Sequence, residues 1–283
     1  MATAMSVRPV LEILTPGLQA TLQDAGRPGW RRFGIPPGGA MDRHALRLAN
    51  QLLDNPPDAP VLECLQGARL VALVRVDIAL AGAWGGKAWT AQPGETLDIP
   101  GQLGGVWHSL ALPGGICGDR FLGSVSVCAR AGIGVGLAKG NHLACQAAPT
   151  GRLPDGIKCR HPAARAAGYE PAPLRVWPGP QWAAFTQASQ RALFDQPWRV
   201  SARSDRTGYR LEGRPLAVPP GPLTSEPVRV GSIQVPPDGQ PVVTLHDGPT
   251  VGGYAKIGLI DADDLHRLVQ TRPGQSVHFR SVA

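Results

Sequence analysis

Lysine is scarce in this chain. Of 28 basic residues only Lys87, Lys139, Lys158 and Lys256 are lysines, and the arginines are scattered, Trp30-Arg31-Arg32 being about the densest cluster. A formal charge of +7 therefore forms no stripe of the kind that follows a nucleic-acid backbone. A dispersed basic surface with no nucleic-acid partner is expected. The five cysteines, Cys64, Cys117, Cys128, Cys145 and Cys159, contain no C-x-x-C pair and no zinc spacing, in a chain too long to need disulfide staples. Reduced thiols and a cytoplasmic location are expected. With only Met1, Met5 and Met41 as methionines, the Met-Lys-Met context of a covalently biotinylated lysine is absent.

Other absences narrow the chemistry. No apolar run reaches 18 residues without Gly, Pro or polar interruption, and the first residues, "MATAMSVRPVLEIL", lack a basic region followed by an apolar one. No membrane partner and no export are expected. There is no H-E-x-x-H, no G-x-S-x-G elbow and no G-x-G-x-x-G between a strand and a helix, which argues against a self-contained metalloprotease, lipase or NAD enzyme. No metal site is identified.

What the chain does have is 36 glycines and 29 prolines, dispersed between short apolar runs without a period. That composition suits a β-rich globule with many turns. Its 283 residues allow two lobes of about 100 to 150 residues. We place an N-terminal β-rich lobe at 1–145, a connection without periodicity at 146–173, and a C-terminal lobe at 174–283. "VLEIL" reads as a first strand, and Asp42 offers an N-cap to "RHALRLANQLLDN", where apolar residues recur at helical spacing. In the second lobe "QWAAFTQASQRALFD" reads as a helix, "WRVSARSDRTGYRLEG" as a hairpin with Ser204 to Gly208 at its tip, "DADDLHRLVQTRPG" as a short helix capped by Asp261 or Asp263, and "SVHFRSV" as a closing strand.

The segment "GSIQVPPDGQPVVTLHDGPTVGGYAKIGLI", residues Gly231 to Ile260, is interrupted twice. Pro237-Asp238-Gly239 presets a tight turn, so "SIQV" and "PVVTL" should pair as a hairpin. The second interruption gathers His246, Asp247, Thr250, Tyr254 and Lys256 around Gly248, Gly252 and Gly253, whose missing side chains permit close approach of a ligand. The residues alone leave two readings open, a ligand loop or a solvated glycine-rich connection. A P-loop is excluded, because Tyr254 stands where its lysine would be.

Several blocks, in order from about Leu11 to Phe279, carry a resemblance: "TPGLQATLQDAGRPGWRRFGIPPGGAMD", "GPQWAAF", "SARSDRTGYRLEG" and "SIQVPPDGQPVVTLHDGPTVGGYAKI". Together they resemble the family of the C-type subunit of bacterial 5-oxoprolinase, also called KipA-type, allophanate hydrolase subunit 2-like or biotin-dependent carboxyltransferase proteins, which is similar to part of the carboxyltransferase region of urea carboxylase. The resemblance implies a cyclophilin-like β-barrel architecture, in keeping with the mostly β fold with a few helices read from the strands and with the two lobes around a shared cleft expected from the length. It implies a subunit of a multi-subunit, ATP-dependent 5-oxoprolinase, with ATP entering through the complex and with KipI-type barrel and lactam-utilisation subunits as partners. Two alternatives accompany it, a carboxyltransferase subunit that works with carboxybiotin on a urea-like amide, and a non-catalytic KipA-type regulator that binds a sister barrel protein. The chain departs from the family pattern in three places. "GSVSV" stands for the usual "GSRST", Trp182 follows "GPQ" in place of an acidic residue, and "DGPTVGGY" replaces "DRQTTGGY".

Opening a lactam, or moving a carboxyl group to or from biotin, needs a polarised amide carbonyl and donors for the charge that develops on oxygen. As catalytic candidates we take Lys256, Asp247 and Asp205. Lys256 stands out because this chain otherwise uses arginine for positive charge. As substrate-binding candidates we take Arg206, Tyr209, Gln234, Asp238, Thr250, Gly252, Gly253 and Tyr254, with Gln23, Asp24 and Arg27 from the N-terminal block. Asp42 is expected to be a helix cap, and His44, His108, His142 and His161 to be surface or satisfied core residues.

Overall fold

The computed structural model describes residues 8–99, 104–153, 169–221 and 223–282. Lys158, Cys159, His161 and most of the stretch expected to connect the lobes lie outside the described residues. The chain forms two compact units, Met1–Arg27 with Gly38–Ala167, and Pro28–Pro37 with Gly168–Ala283. No helix among the described residues is long and apolar enough to cross a membrane.

The first unit holds β1 (Leu11–Pro16), β2 (Ala20–Gln23), β3 (Val61–Cys64), β4 (Ala68–Ala72), β5 (Val76–Gly82), β6 (Gly85–Ala91), β7 (Thr96–Asp98), β8 (His108–Ala111) and β9 (His142–Leu143). They make two sheets, in orders β7-β4-β1-β9 and β2-β3-β8-β5-β6. Leu11, Ile13, Leu70 and Leu97 of the first sheet pack with Leu62, Ile78, Leu80 and Leu110 of the second. Strand β5 shows how one sequence serves two layers. Ile78 and Leu80 enter that core, while the intervening Ala79 and Ala81 face the other way, as the period of two requires. Their small side chains admit helix α1 (Arg43–Leu52), which lays Ala45, Leu46, Ala49 and Leu52 against them. A Cβ on Gly86 would come within 2.9 Å of Leu52 Cδ1. Asp42 caps α1, accepting from the His44 and Ala45 amides at 2.9 Å each.

Residues at the start of the expected connection are tied into this unit. The Gln146 amide donates to the Gly115 carbonyl at 2.9 Å, and Asp77 accepts from the Arg152 amide at 2.8 Å. The four described cysteines are free, and burial pushes the Cys64 thiol up.

The second unit holds β10 (Leu174–Pro178), β11 (Trp198–Val200), β12 (Gly208–Glu212), β13 (Glu226–Pro227), β14 (Ser232–Val235), β15 (Val242–Thr244), β16 (Val251–Gly252), β17 (Ala255–Ile260), β18 (Ser276–Val277) and β19 (Phe279–Ser281). Eight of them run in the order β18-β11-β12-β15-β14-β17-β10-β19. The two ends of that sheet are separated in sequence by His278 alone, so the sheet returns on itself as a nearly closed barrel. The expected single closing strand is thus two short ones, each sealing an opposite edge. Trp198, Leu211, Ile233, Val243, Ile257 and Phe279 are buried in this unit. The Trp198 indole donates to the Leu193 carbonyl at 2.9 Å.

Two hairpins occur where the turn chemistry placed them, β11 with β12 and β14 with β15. The expected helix from Trp182 begins later. Trp182–Ala184 is a 3-10 turn, and α2 (Gln187–Asp195) starts only after Thr186, whose hydroxyl accepts from the Ser189 amide. The last helix, α3 (Leu265–Val269), follows a 3-10 turn capped by Asp261.

Candidate functional site

In the second unit the loop between β15 and β17 gathers three cations by three routes. The first is Lys256. A bulge between Ile233 and Gln234 shifts the β14–β17 register so that Gln234 lies opposite Lys256 and Ile257 has no counterpart; such an extra residue re-aims the side chains beside it. Lys256 is 3 % exposed, and its ammonium is bonded to the Glu226 carboxylate of β13. Gln181 completes the group. Its Nε2 donates to Glu226 Oε1 at 2.6 Å, and its Oε1 accepts the Lys256 amide at 3.0 Å. The hydrogen bond from Lys256, assisted by Gln181 and opposed by burial, holds the Glu226 carboxyl below the usual carboxylate range. At neutral pH Glu226 is therefore a carboxylate.

Gln181 reaches this position because Gly179-Pro180-Gln181 runs against β17. The Gly179 amide donates to the Ile257 carbonyl at 3.0 Å and the Gln181 amide to the Lys256 carbonyl at 3.3 Å. A Cβ on Gly179 would collide with the Lys256 carbonyl oxygen and lie 2.8 Å from the Gly258 nitrogen. Only glycine permits that contact.

The second cation is Arg206, at the tip before β12. Its Nε and Nη2 grip Asp247 at 2.8 and 3.2 Å, and both side chains are under 10 % exposed. The backbone joins the same two residues, the Asp247 amide donating to the Arg206 carbonyl at 3.0 Å. Thr244 links the Arg206 and Lys256 groups. Its hydroxyl accepts from Gln234 Nε2 at 2.7 Å, and a Cβ on Gly248 would meet its methyl at 2.6 Å.

The third cation, Arg31, belongs to Pro28–Pro37. Its Nη2 donates to the carbonyls of Val228 and, at 3.1 Å, Pro249. Burial lowers its pKa. The ladder it touches is β13 with β16, extended by the Val228 amide donating to the Thr250 carbonyl at 2.9 Å.

The structure brings together Lys256, Gln234, Gly252, Thr250, Asp247 and Arg206. A Cβ on Gly252 would lie 2.9 Å from Gln234 Oε1. Gly253 adjoins the Leu223 carbonyl, and Tyr254 is 49 % exposed. Other candidates lie apart. Asp205 accepts from the Thr207 and Gly208 amides and shapes its own turn. Tyr209 is buried with its hydroxyl on the Val269 carbonyl at 2.8 Å. Asp238 accepts from the Gln240 amide at the far hairpin turn.

Gln23, Asp24 and Arg27 belong to the first unit. Gln23 donates to Thr21 and to the Val127 carbonyl. Asp24 accepts from the hydroxyls of Ser124 and Ser126 and from the Val125 amide. Arg27 donates to the Ser126 carbonyl. Ser124 and Ser126 of "GSVSV", which hold Asp24, are positions that it shares with "GSRST". Glu226, Gln181 and Arg31 were not among the candidates. Glu226 sits in a proline-rich run with no motif, whereas "GPQ" and "WRR" were visible signals whose placement was not.

The second unit is thus a nearly closed β-barrel that carries buried, carboxylate-paired cations beside a glycine-rich loop. The family described as carboxyltransferase domain, subdomain A and B, matches residues 33–281, and the chain belongs to that family. It is 36 % identical to the 5-oxoprolinase C-type subunit of Escherichia coli, covering 95 % of this chain and 90 % of the relative. Among solved structures it resembles TTHA0988, with TM-score 0.86 and 36 % identity over 98 % of this chain and 57 % of the other. It also resembles the urea amidolyase of Kluyveromyces lactis, with TM-score 0.82 and 26 % identity over 99 % of this chain and 19 % of the other. The chain therefore spans little more than half of one of these solved chains and about a fifth of the other.

Proposed function

We propose that this chain is a subunit of a cytoplasmic, multi-subunit, ATP-dependent 5-oxoprolinase, which opens the lactam of 5-oxoproline to glutamate together with sister subunits. The observation that carries the reading is Lys256, an ammonium buried at the glycine-rich loop of a chain 36 % identical to the C-type subunit of the Escherichia coli 5-oxoprolinase. Attack on an amide carbonyl moves negative charge onto its oxygen, and a donor fixed in advance stabilises that charge without reorganising. Lys256 is such a donor. Glu226, kept ionised, fixes the ammonium and Gln181 fixes Glu226, so the carboxylate acts on substrate through Lys256. Asp247, locked by Arg206, braces the start of the loop. In this reading ATP enters through the complex.

The test is reconstitution with the barrel and lactam-utilisation subunits. 5-Oxoproline-dependent ATP hydrolysis should require this chain, and Lys256→Met should abolish it. Full activity in the chain's absence would sink the proposal. The likeness to urea amidolyase favours a second reading, transfer of a carboxyl group between carboxybiotin on a partner and a urea-like amide. That reading expects inhibition by avidin, and turnover indifferent to avidin removes it.

A further inference from the structure

Lys256 is ion-paired to Glu226 and Arg206 to Asp247, so in the resting site neither leaves a positive charge without a carboxylate partner. Arg31 does. Its two bonds go to neutral carbonyls, and among the described residues no carboxylate lies within ion-pair distance of it. Its Nη1 is buried and has no hydrogen-bond partner among the described residues. A buried guanidinium N–H without an acceptor is costly, and a carboxylate is the acceptor that matches the guanidinium fork best. Arg31 also reaches the glycine-rich loop, at Pro249, from a segment more than 200 residues away in sequence.

We infer that Arg31 is the carboxylate-recognising residue of this site and holds the acid group of the substrate while the Lys256 end faces the amide. The inference rests on the oxoprolinase reading and names the half of the substrate that Lys256 does not address. The spacing suits a small molecule. Arg31 is anchored on Val228 and Lys256 on Glu226, two residues apart along the segment that begins with β13, or ~7 Å where extended. A bound carboxylate would neutralise Arg31 and complete its hydrogen bonds. Urea, which has no acid group, would leave it unanswered.

The experiment titrates the full chain by calorimetry with 5-oxoproline, with 2-pyrrolidinone (the same lactam without its acid) and with cyclopentanecarboxylate (the acid without the amide). Wild type should prefer 5-oxoproline to 2-pyrrolidinone by roughly tenfold to a hundredfold, the range of a charged hydrogen bond. Arg31→Gln should erase that preference and leave 2-pyrrolidinone binding unchanged. Arg31→Lys, which keeps the charge without the fork, should retain part of it and guards against loss of the loop's fold. Arg32→Gln should change nothing, since Arg32 lies over the Phe33 ring on the exposed side of the turn. Preference for the acid that survives in Arg31→Gln overturns the assignment and spares the function. Binding of cyclopentanecarboxylate that depends on Arg31, with no response to either lactam, keeps the carboxylate site and removes the oxoprolinase reading. No binding of any probe removes both.

Discussion

Arg206 and Lys256 are both buried cations with a carboxylate partner, yet their loss should be felt differently. Asp247 is 7 % exposed, so Arg206→Met leaves a charge stranded away from water, at a cost of about 3–5 kcal/mol. Glu226 is 35 % exposed and still bound by Gln181, so after Lys256→Met it can rehydrate, and the cost should stay near ~1 kcal/mol. Denaturant unfolding of the two variants checks this. Equal losses would make Lys256 a structural residue and remove it from the site. A third carboxylate gives a pH signature. Burial acts to raise the Asp264 pKa, but bonds from the Arg175 side chain and amide and from Arg267 overcome it and hold the group at about 2. A depressed carboxylate stabilises the fold above its unfolded pKa of about 4, and the contribution is lost as pH falls toward about 2. Asp264→Asn should therefore cost roughly 2 kcal/mol at neutral pH and flatten the acid limb of the stability profile. An unchanged limb would show that Asp264 does not set it.

Among the elements, periodicity and turn chemistry carried most of the information. Asp42 before a helical stripe gave α1, and Pro237-Asp238-Gly239 gave the β14–β15 hairpin. The misreading at Trp182 has a local cause. A continuous helical stripe hid the cap at Thr186, whose hydroxyl competes with helix continuation. What positions the site was less legible. The bulge opposite Ile257 leaves no mark in "SIQV" or "AKIGLI", because pairing register belongs to two strands and not to either one. The path of Gly179 against β17 is likewise a tertiary fact. It supports a direct prediction, since Gly179→Ala would drive a methyl into the backbone of the strand that presents Lys256. We expect a loss of about 1–3 kcal/mol and a fall in turnover larger than that of Ala183→Gly in the neighbouring exposed turn. Full activity in Gly179→Ala would mean that Gln181 does not need this contact.

At the scale of the whole molecule, each half of the chain solves the edge-strand problem in its own way. The first unit stacks two sheets and covers the second with α1. The second curls one sheet until its edges meet at Ser276–Ser281, where β18 completes the pairing of β11 and β19 that of β10. The resemblance of ordered blocks pointed to a barrel, but the residues that close it, "SVHFRS", look like one ordinary strand, and the entry of Pro28–Pro37 into the second unit has no periodic signature at all. Closure makes the barrel cooperative, because any one strand lost exposes two edges. Removing residues 276–283 should therefore act out of proportion to their number. It deletes both edge partners and uncovers Trp198, which is fully buried beneath them. The expected outcome is loss of the Trp198 near-ultraviolet circular dichroism and rapid amide exchange along β10, β11 and β12. Amides of β3, β5 and β8 in the first unit should stay protected. Retained protection in β10 and β11 would show that the barrel stands without its closing segment.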